Sequence, residues 1–157
     1  MKLLLPVNNM ERGKRIAFDY GDVRIGVAIS DQEAILAAPL TTLQSNSPTL
    51  QRELSELFFD ITPVHVYIGL PTHLSGQASE SSLKATRFGE MIRDNFGFPV
   101  YMLDERFSTK NAENQLRASG KSASRNRDVI DQLAAANILE FALMIEKNQF
   151  KPAGILL

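Results

Sequence analysis

Three carboxylates from separate parts of the sequence could share one piece of chemistry. Asp19 lies in Ile16-Ala17-Phe18-Asp19-Tyr20-Gly21, Glu105 ends the run Val100-Tyr101-Met102-Leu103-Asp104-Glu105, and Asp131 opens a long apolar helical pattern. A carboxylate near the end of a buried strand costs folding energy unless something compensates it. Converging carboxylates also raise one another's pKa, and a hard divalent cation relieves both problems. Mg2+ and Mn2+ prefer oxygen ligands and keep part of their water shell. A site rich in Asp and Glu but without Cys or His therefore points to Mg2+ or Mn2+. The natural reaction is phosphodiester hydrolysis, in which two ions about 3.5–4 Å apart activate a water and stabilise the leaving oxygen. Asp128 precedes Asp131 by three residues and can share its helix face. It reads either as a fourth ligand or as the helix N-cap, which Asp fills well.

Each acid also has a plain structural reading. Asp19 can bond turn amides, and Glu105 can sit in a solvated strand end beside Arg106. Asp131 can favour the helix macrodipole. Spacing alone leaves these readings open, so the elements that position the three residues matter.

The pattern predicts strands over Arg15–Tyr20, Arg24–Ser30 and Ile35–Leu43, joined by short turns as an antiparallel meander. Pro39 suits an edge strand. Ser47-Pro48 predicts a helix start, with Ser47 as N-cap, and the helix runs through Asp60. A strand over Val64–Leu70, a helix over Ser79–Asn95 and a strand over Pro99–Leu103 follow. Next come a short helix over Thr109–Ala118, a basic loop to Arg127 and a final helix over Asp128–Lys147. The alternation of the second half demands crossovers, hence parallel strands with helices on both faces. The expected fold is α/β, a five-stranded mixed sheet flanked by helices. Strands one and five would end on one edge, where such sheets place their sites. The small residues Ala134, Ala135 and Ala136 would let the last helix press close to that sheet.

Composition fits this picture. With 157 residues, 44% hydrophobic and 22% charged, the chain suits one domain with a core. We expect a tail over 1–13, a single domain over 14–150 and a second tail over 151–157. The net charge of −1 argues against a wholly basic coat protein. The chain has no Cys, which excludes disulfides and suits a reducing cytoplasm, and its two His make an imidazole-built zinc site improbable. No run approaches the roughly 18 apolar residues of a membrane span, and the short apolar start is broken by Pro6.

With these residues assembled, the sequence closely resembles the YqgF family, also called RuvX. The resemblance rests on Phe18-Asp19-Tyr20-Gly21 with Arg24-Ile25-Gly26-Val27-Ala28, then Ile68-Gly69-Leu70-Pro71 with Gly76. It continues through Leu103-Asp104-Glu105-Arg106-Phe107-Ser108-Thr109 and Val129-Ile130-Asp131-Gln132-Leu133-Ala134-Ala135. It implies a ribonuclease H-like fold related to the junction resolvase RuvC, with Asp19, Glu105 and Asp131 as the catalytic, metal-binding acids. It further implies a nuclease that processes the 5′ end of the pre-16S ribosomal RNA, or alternatively resolves Holliday junctions. Asp128 and the first thirteen residues fall outside the pattern.

Charge near the proposed site favours a nucleic acid. Between Arg106 and Arg127 lie Arg106, Lys110, Arg117, Lys121, Arg125 and Arg127 against one acid, Glu113, a net charge of about +5. These six are the candidate phosphate contacts; the plain reading is a solvated helix and loop. Tyr20 could stack on a base or pack in the core, and His65 reads as structural. Two other classes compete. One is a non-catalytic RNA-binding assembly factor. The other is a nucleotide-binding ATPase, which would need a second lobe that 157 residues do not supply. The expected partner is nucleic acid, with no membrane, for a cytoplasmic monomer or weak dimer.

Overall fold

Side-chain alternation sorts the first strands into two unlike faces. In the computed structural model, which describes residues 10–71, 79–104 and 127–157, β1 (Arg15–Tyr20) and β2 (Arg24–Ser30) pair antiparallel with Asp19 opposite Gly26. Ile16, Phe18, Ile25 and Val27 join one buried cluster, while Ala17 and Ala28 join the other. Period-two alternation therefore gives the sheet a bulky face and a small-residue face. Asp19, Arg24 and Gly26 share the parity of the small face.

The remaining strands extend this pair on both sides. The sheet order is β3-β2-β1-β4-β5-β6, with β3 (Ala37–Gln44) antiparallel to β2. β4 (His65–Leu70) and β5 (Val100–Asp104) run parallel to β1, as the crossovers demanded. The expected edge position of the Pro39 strand holds, and the register slips at Val27/Ala28, so that Ala28 pairs with Pro39. A bulge there absorbs the missing proline donor.

The expected count of five strands is corrected to six. β6 (Ile155–Leu156) comes from the segment expected as a tail and pairs antiparallel with β5. The Leu157 amide donates to the Val100 carbonyl at 2.9 Å, and its side chain packs on the bulky-face core. A two-residue strand is too short to show periodicity, so only pairing reveals it.

Two helices cover the bulky face. α1 (Leu50–Ile61) contributes Leu54 and Phe58, and α2 (Glu80–Phe96) contributes Ala85, Phe88 and Ile92. α2 starts where expected: Ser79 accepts from the Ser82 amide and Ser82 reciprocates, closing a capping box. α1 starts later than expected. Ser47 is not its N-cap; the Leu50 amide donates to the Ser47 carbonyl in a turn that precedes the helix, and Thr49 takes the cap position. The expected helix over Thr109–Ala118 lies outside the described residues.

Among the described residues, one helix covers the small face, α3 (Arg127–Gln149). Its buried Ala135, Ala136, Ile138, Leu139 and Ala142 meet Ala17, Ala28 and Tyr67. The expected close approach of the alanines is present, and the sheet answers it with small residues of its own. At Gly26 the approach is tight enough that an added Cβ would overlap the Asp131 carbonyl.

The far end of α3 is held by charge. Glu146 and Arg15 are each 1% exposed, and Arg15 Nε donates to Glu146 Oε2 at 3.0 Å. His65 Nδ1 lies 2.9 Å from Glu146 Oε1, and the Tyr67 hydroxyl donates to the same oxygen. Burial pushes the Glu146 carboxyl up, but the bonds from His65 and Tyr67 and the charge of Arg15 outweigh it and hold the pKa below the usual value. His65 is thus structural, as its strand position suggested.

Two outcomes follow. Glu146→Ala leaves Arg15 buried and uncompensated, so urea unfolding should show a loss of about 3–5 kcal/mol. Because the folded-state pKa is lowered, the contribution of Glu146 is complete above about pH 4.5 and fades as pH falls through the folded value. Glu146→Gln should lack that acid limb. Gly26→Ala forces α3 off the sheet at Asp131. We expect a loss of about 1–3 kcal/mol, with faster amide exchange in the first turns of α3 than in its middle.

Candidate active site

The strands line up a row of residues under the start of α3. Asp19 on β1 lies opposite Gly26 on β2, and Gly26 lies opposite Thr42 on β3. The helix crosses this row. Its backbone rests on Gly26. On one side Thr42 Oγ1 donates to the Asp128 carbonyl at 3.0 Å and accepts from Gln132 Nε2 at 3.1 Å. On the other side of Gly26 lies Asp19, whose charge adds to the upward push on the Asp131 pKa. Two acids separated by more than a hundred residues are thus brought together by one glycine contact.

Electrostatics mark the pair. Burial raises the pKa of Asp131 and Arg24 opposes it, while the charges of Asp19 and Asp128 push it further up; the net direction is upward. Arg24 Nε donates to Asp131 Oδ2 at 2.8 Å and lies 3.9 Å from Asp128 Oδ1. Sequence reasoning did not assign Arg24 to the site. Its signal was parity, since it lies two residues before Gly26 on the same strand face.

The other expected residues fall as follows. Glu105 lies outside the described residues. Asp104, which precedes it, ends β5 opposite Leu70, on the edge where β1 and β4 also end. Asp128 lies in the first turn of α3, one residue inside it rather than at its cap, with a side chain 65% exposed. Arg127 begins α3 and is exposed. Arg106, Lys110, Arg117, Lys121 and Arg125 lie outside the described residues. Tyr20 is part of the core: its ring stacks on Phe88 at 4.9 Å.

The donor set suits a hard cation. Asp19, Asp128 and Asp131 offer only carboxylate oxygens, and His65 is committed to Glu146 at the opposite end of α3. Among the described residues no group of three or more Asp, Glu, His or Cys side chains is placed to hold a metal ion, and Glu105 lies outside them. No described helix is long and apolar enough to cross a membrane.

Comparison with known proteins agrees with this arrangement. Among solved structures, Thermus thermophilus RuvC in complex with a Holliday junction substrate superposes with a TM-score of 0.52 at 15% identity, covering 89% of this chain and 99% of that one. A second T. thermophilus RuvC structure gives a TM-score of 0.50 at 17% identity, with the same coverage. At that identity the likeness speaks for the fold, which is ribonuclease H-like. Curated relatives carry the name "Putative pre-16S rRNA nuclease". The protein from Leifsonia xyli subsp. xyli is 40% identical, covering 92% of this chain and 94% of its own length. Those from Streptomyces coelicolor and Streptomyces avermitilis are 40% and 41% identical over 92% of this chain, and 88% and 94% of their own lengths. The family model RuvX, described as Holliday junction resolvase, matches residues 13–144, and the chain belongs to that family.

Proposed function

We propose that this protein is a metal-dependent nuclease that hydrolyses phosphodiester bonds in the precursor of 16S ribosomal RNA, at its 5′ end. The observation that carries the reading is the meeting of Asp19 and Asp131 across Gly26. Relatives at about 40% identity across most of the chain carry the matching name.

Asp19, Glu105 and Asp131 would hold Mg2+ or Mn2+. Glu105 follows directly in sequence after Asp104, the last residue of β5. Asp128 is a candidate fourth ligand, because Arg24 groups it with Asp131. A bound divalent ion supplies an activated water and stabilises the leaving oxygen. The chain's own part is placement. The Gly26 contact fixes the α3 backbone, Thr42 pins its first turn, and Asp19 stands on a central strand that cannot move independently. Arg127, with Arg106, Lys110, Arg117, Lys121 and Arg125, would hold the phosphates of the substrate. The cytoplasm, where such a precursor is found, is the proposed location, and residues 14–150 the proposed nuclease domain.

A second reading is cleavage of four-way DNA junctions, favoured by the description of the family model and by the RuvC fold. Both substrates belong in one assay. The protein is incubated with precursor RNA and with a four-way DNA junction in Mg2+ or Mn2+. RNA should be cut, and Asp19→Asn, Glu105→Gln and Asp131→Asn should each reduce the rate at least about a hundredfold, since even outer-shell partners of a metal matter by 10–100-fold. Cutting that survives all three substitutions would remove the acidic triad from the mechanism. Cutting of the junction alone would transfer the proposal to DNA.

A further inference from the structure

We infer that Arg24 is the resident counter-ion of this site and that a divalent cation must displace its hold on Asp131. The inference rests on the proposed metal-binding role of Asp131.

The geometry gives one guanidinium several acids to serve. Arg24 Nε donates to Asp131 Oδ2 at 2.8 Å and lies 3.9 Å from Asp128 Oδ1, while Asp19 interacts with Asp131 from the neighbouring strand. Asp131 is 21% exposed at its side chain, so its charge is only partly solvated. Without a cation, carboxylates gathered around one guanidinium repel one another and oppose the docking of α3. Arg24 supplies the missing positive charge from the β2 side of the same row, two residues from the Gly26 contact. The metal-free fold can therefore close over its own acids.

A divalent ion entering the same carboxylates brings two positive charges beside that guanidinium. Ion and guanidinium favour the same anionic groups and repel each other, so their occupancies oppose. Reciprocity then requires that whatever Arg24 contributes to the metal-free state it subtracts from metal affinity. The side chain is 24% exposed and reaches the site on a long stem, so it can leave Asp131 without unfolding β2.

Calorimetric titration of the metal-free protein with Mn2+ tests this, together with thermal melting in the absence of metal. Arg24→Gln should bind Mn2+ about fivefold or more tightly than the unchanged protein, the lower end of ordinary coupling between sites. It should also melt at a lower temperature when metal-free. Arg24→Met, which keeps the apolar stem, should behave in the same way and serves if the glutamine variant fails to fold. Arg24→Lys, which keeps the charge, should stay near the original affinity. Equal or weaker Mn2+ binding by Arg24→Gln and Arg24→Met would overturn the inference, as would tightening by Arg24→Lys to the same degree. Asp131→Asn separates the two claims. If it binds Mn2+ as the unchanged protein does, the metal-binding role of Asp131 fails. If it loses Mn2+ while the Arg24 variants show no tightening, only the counter-ion role of Arg24 fails.

Discussion

The close approach of α3 to β2 at Gly26 is the contact on which the rest depends. A helix normally stands off a sheet by the length of interleaved side chains. Around Gly26 the sheet offers Ala17 and Ala28, and the helix brings Ala135 and Ala136, with bulkier residues such as Tyr67, Ile138 and Leu139 elsewhere in the same layer. The gain is positional: Asp131 arrives beside Asp19 because nothing lies between the helix backbone and the strand that pairs with β1. Contacts this short tolerate little volume change, since packed interiors cannot absorb even a methyl without strain. The position of one carboxylate is thereby tied to the stiffness of the whole small-residue face.

Charge is handled differently at the two ends of α3. At Glu146 the ionised group is buried and satisfied from three sides by Arg15, His65 and Tyr67. Its pKa falls, and the arrangement holds the helix to the starts of β1 and β4. At Asp131 burial, with a further push from neighbouring acids, outweighs Arg24, and the pKa rises. The first end is closed and structural. The second keeps an excess of negative charge, which the proposed cation would offset.

Much of the fold was legible because its signals were local. Alternation in Arg15–Ser30 predicts the first hairpin, and the helical spacing after Asp128 predicts α3. The helix expected from Ser79 formed, with Ser79 itself as its cap. The failures were local ambiguities that longer-range contacts resolved. Ser47-Pro48 looked like a helix start, but a turn precedes the helix and shifts the cap to Thr49. Ile155-Leu156 carried no periodic signal and became a strand only because β5 offered an open edge. Tyr20 was readable as a base-stacking residue until Phe88 was found against its ring.

The sequence by itself determined which chemistry was available. Acids without cysteine, few histidines and a basic run after Asp104 already pointed to oxygen-ligated metal and a polyanion, because residue type sets donor chemistry wherever the residue lies. Element types followed too, since hydrophobic period is a property of the chain. Only the tertiary structure decided which acids meet and what neutralises them. Arg24 and Asp131 are separated by 107 residues, and so are known as partners only once α3 lies on Gly26. The physical reason is that a Coulomb interaction depends on distance in space, and that distance is set by packing across the whole sheet rather than by any local pattern.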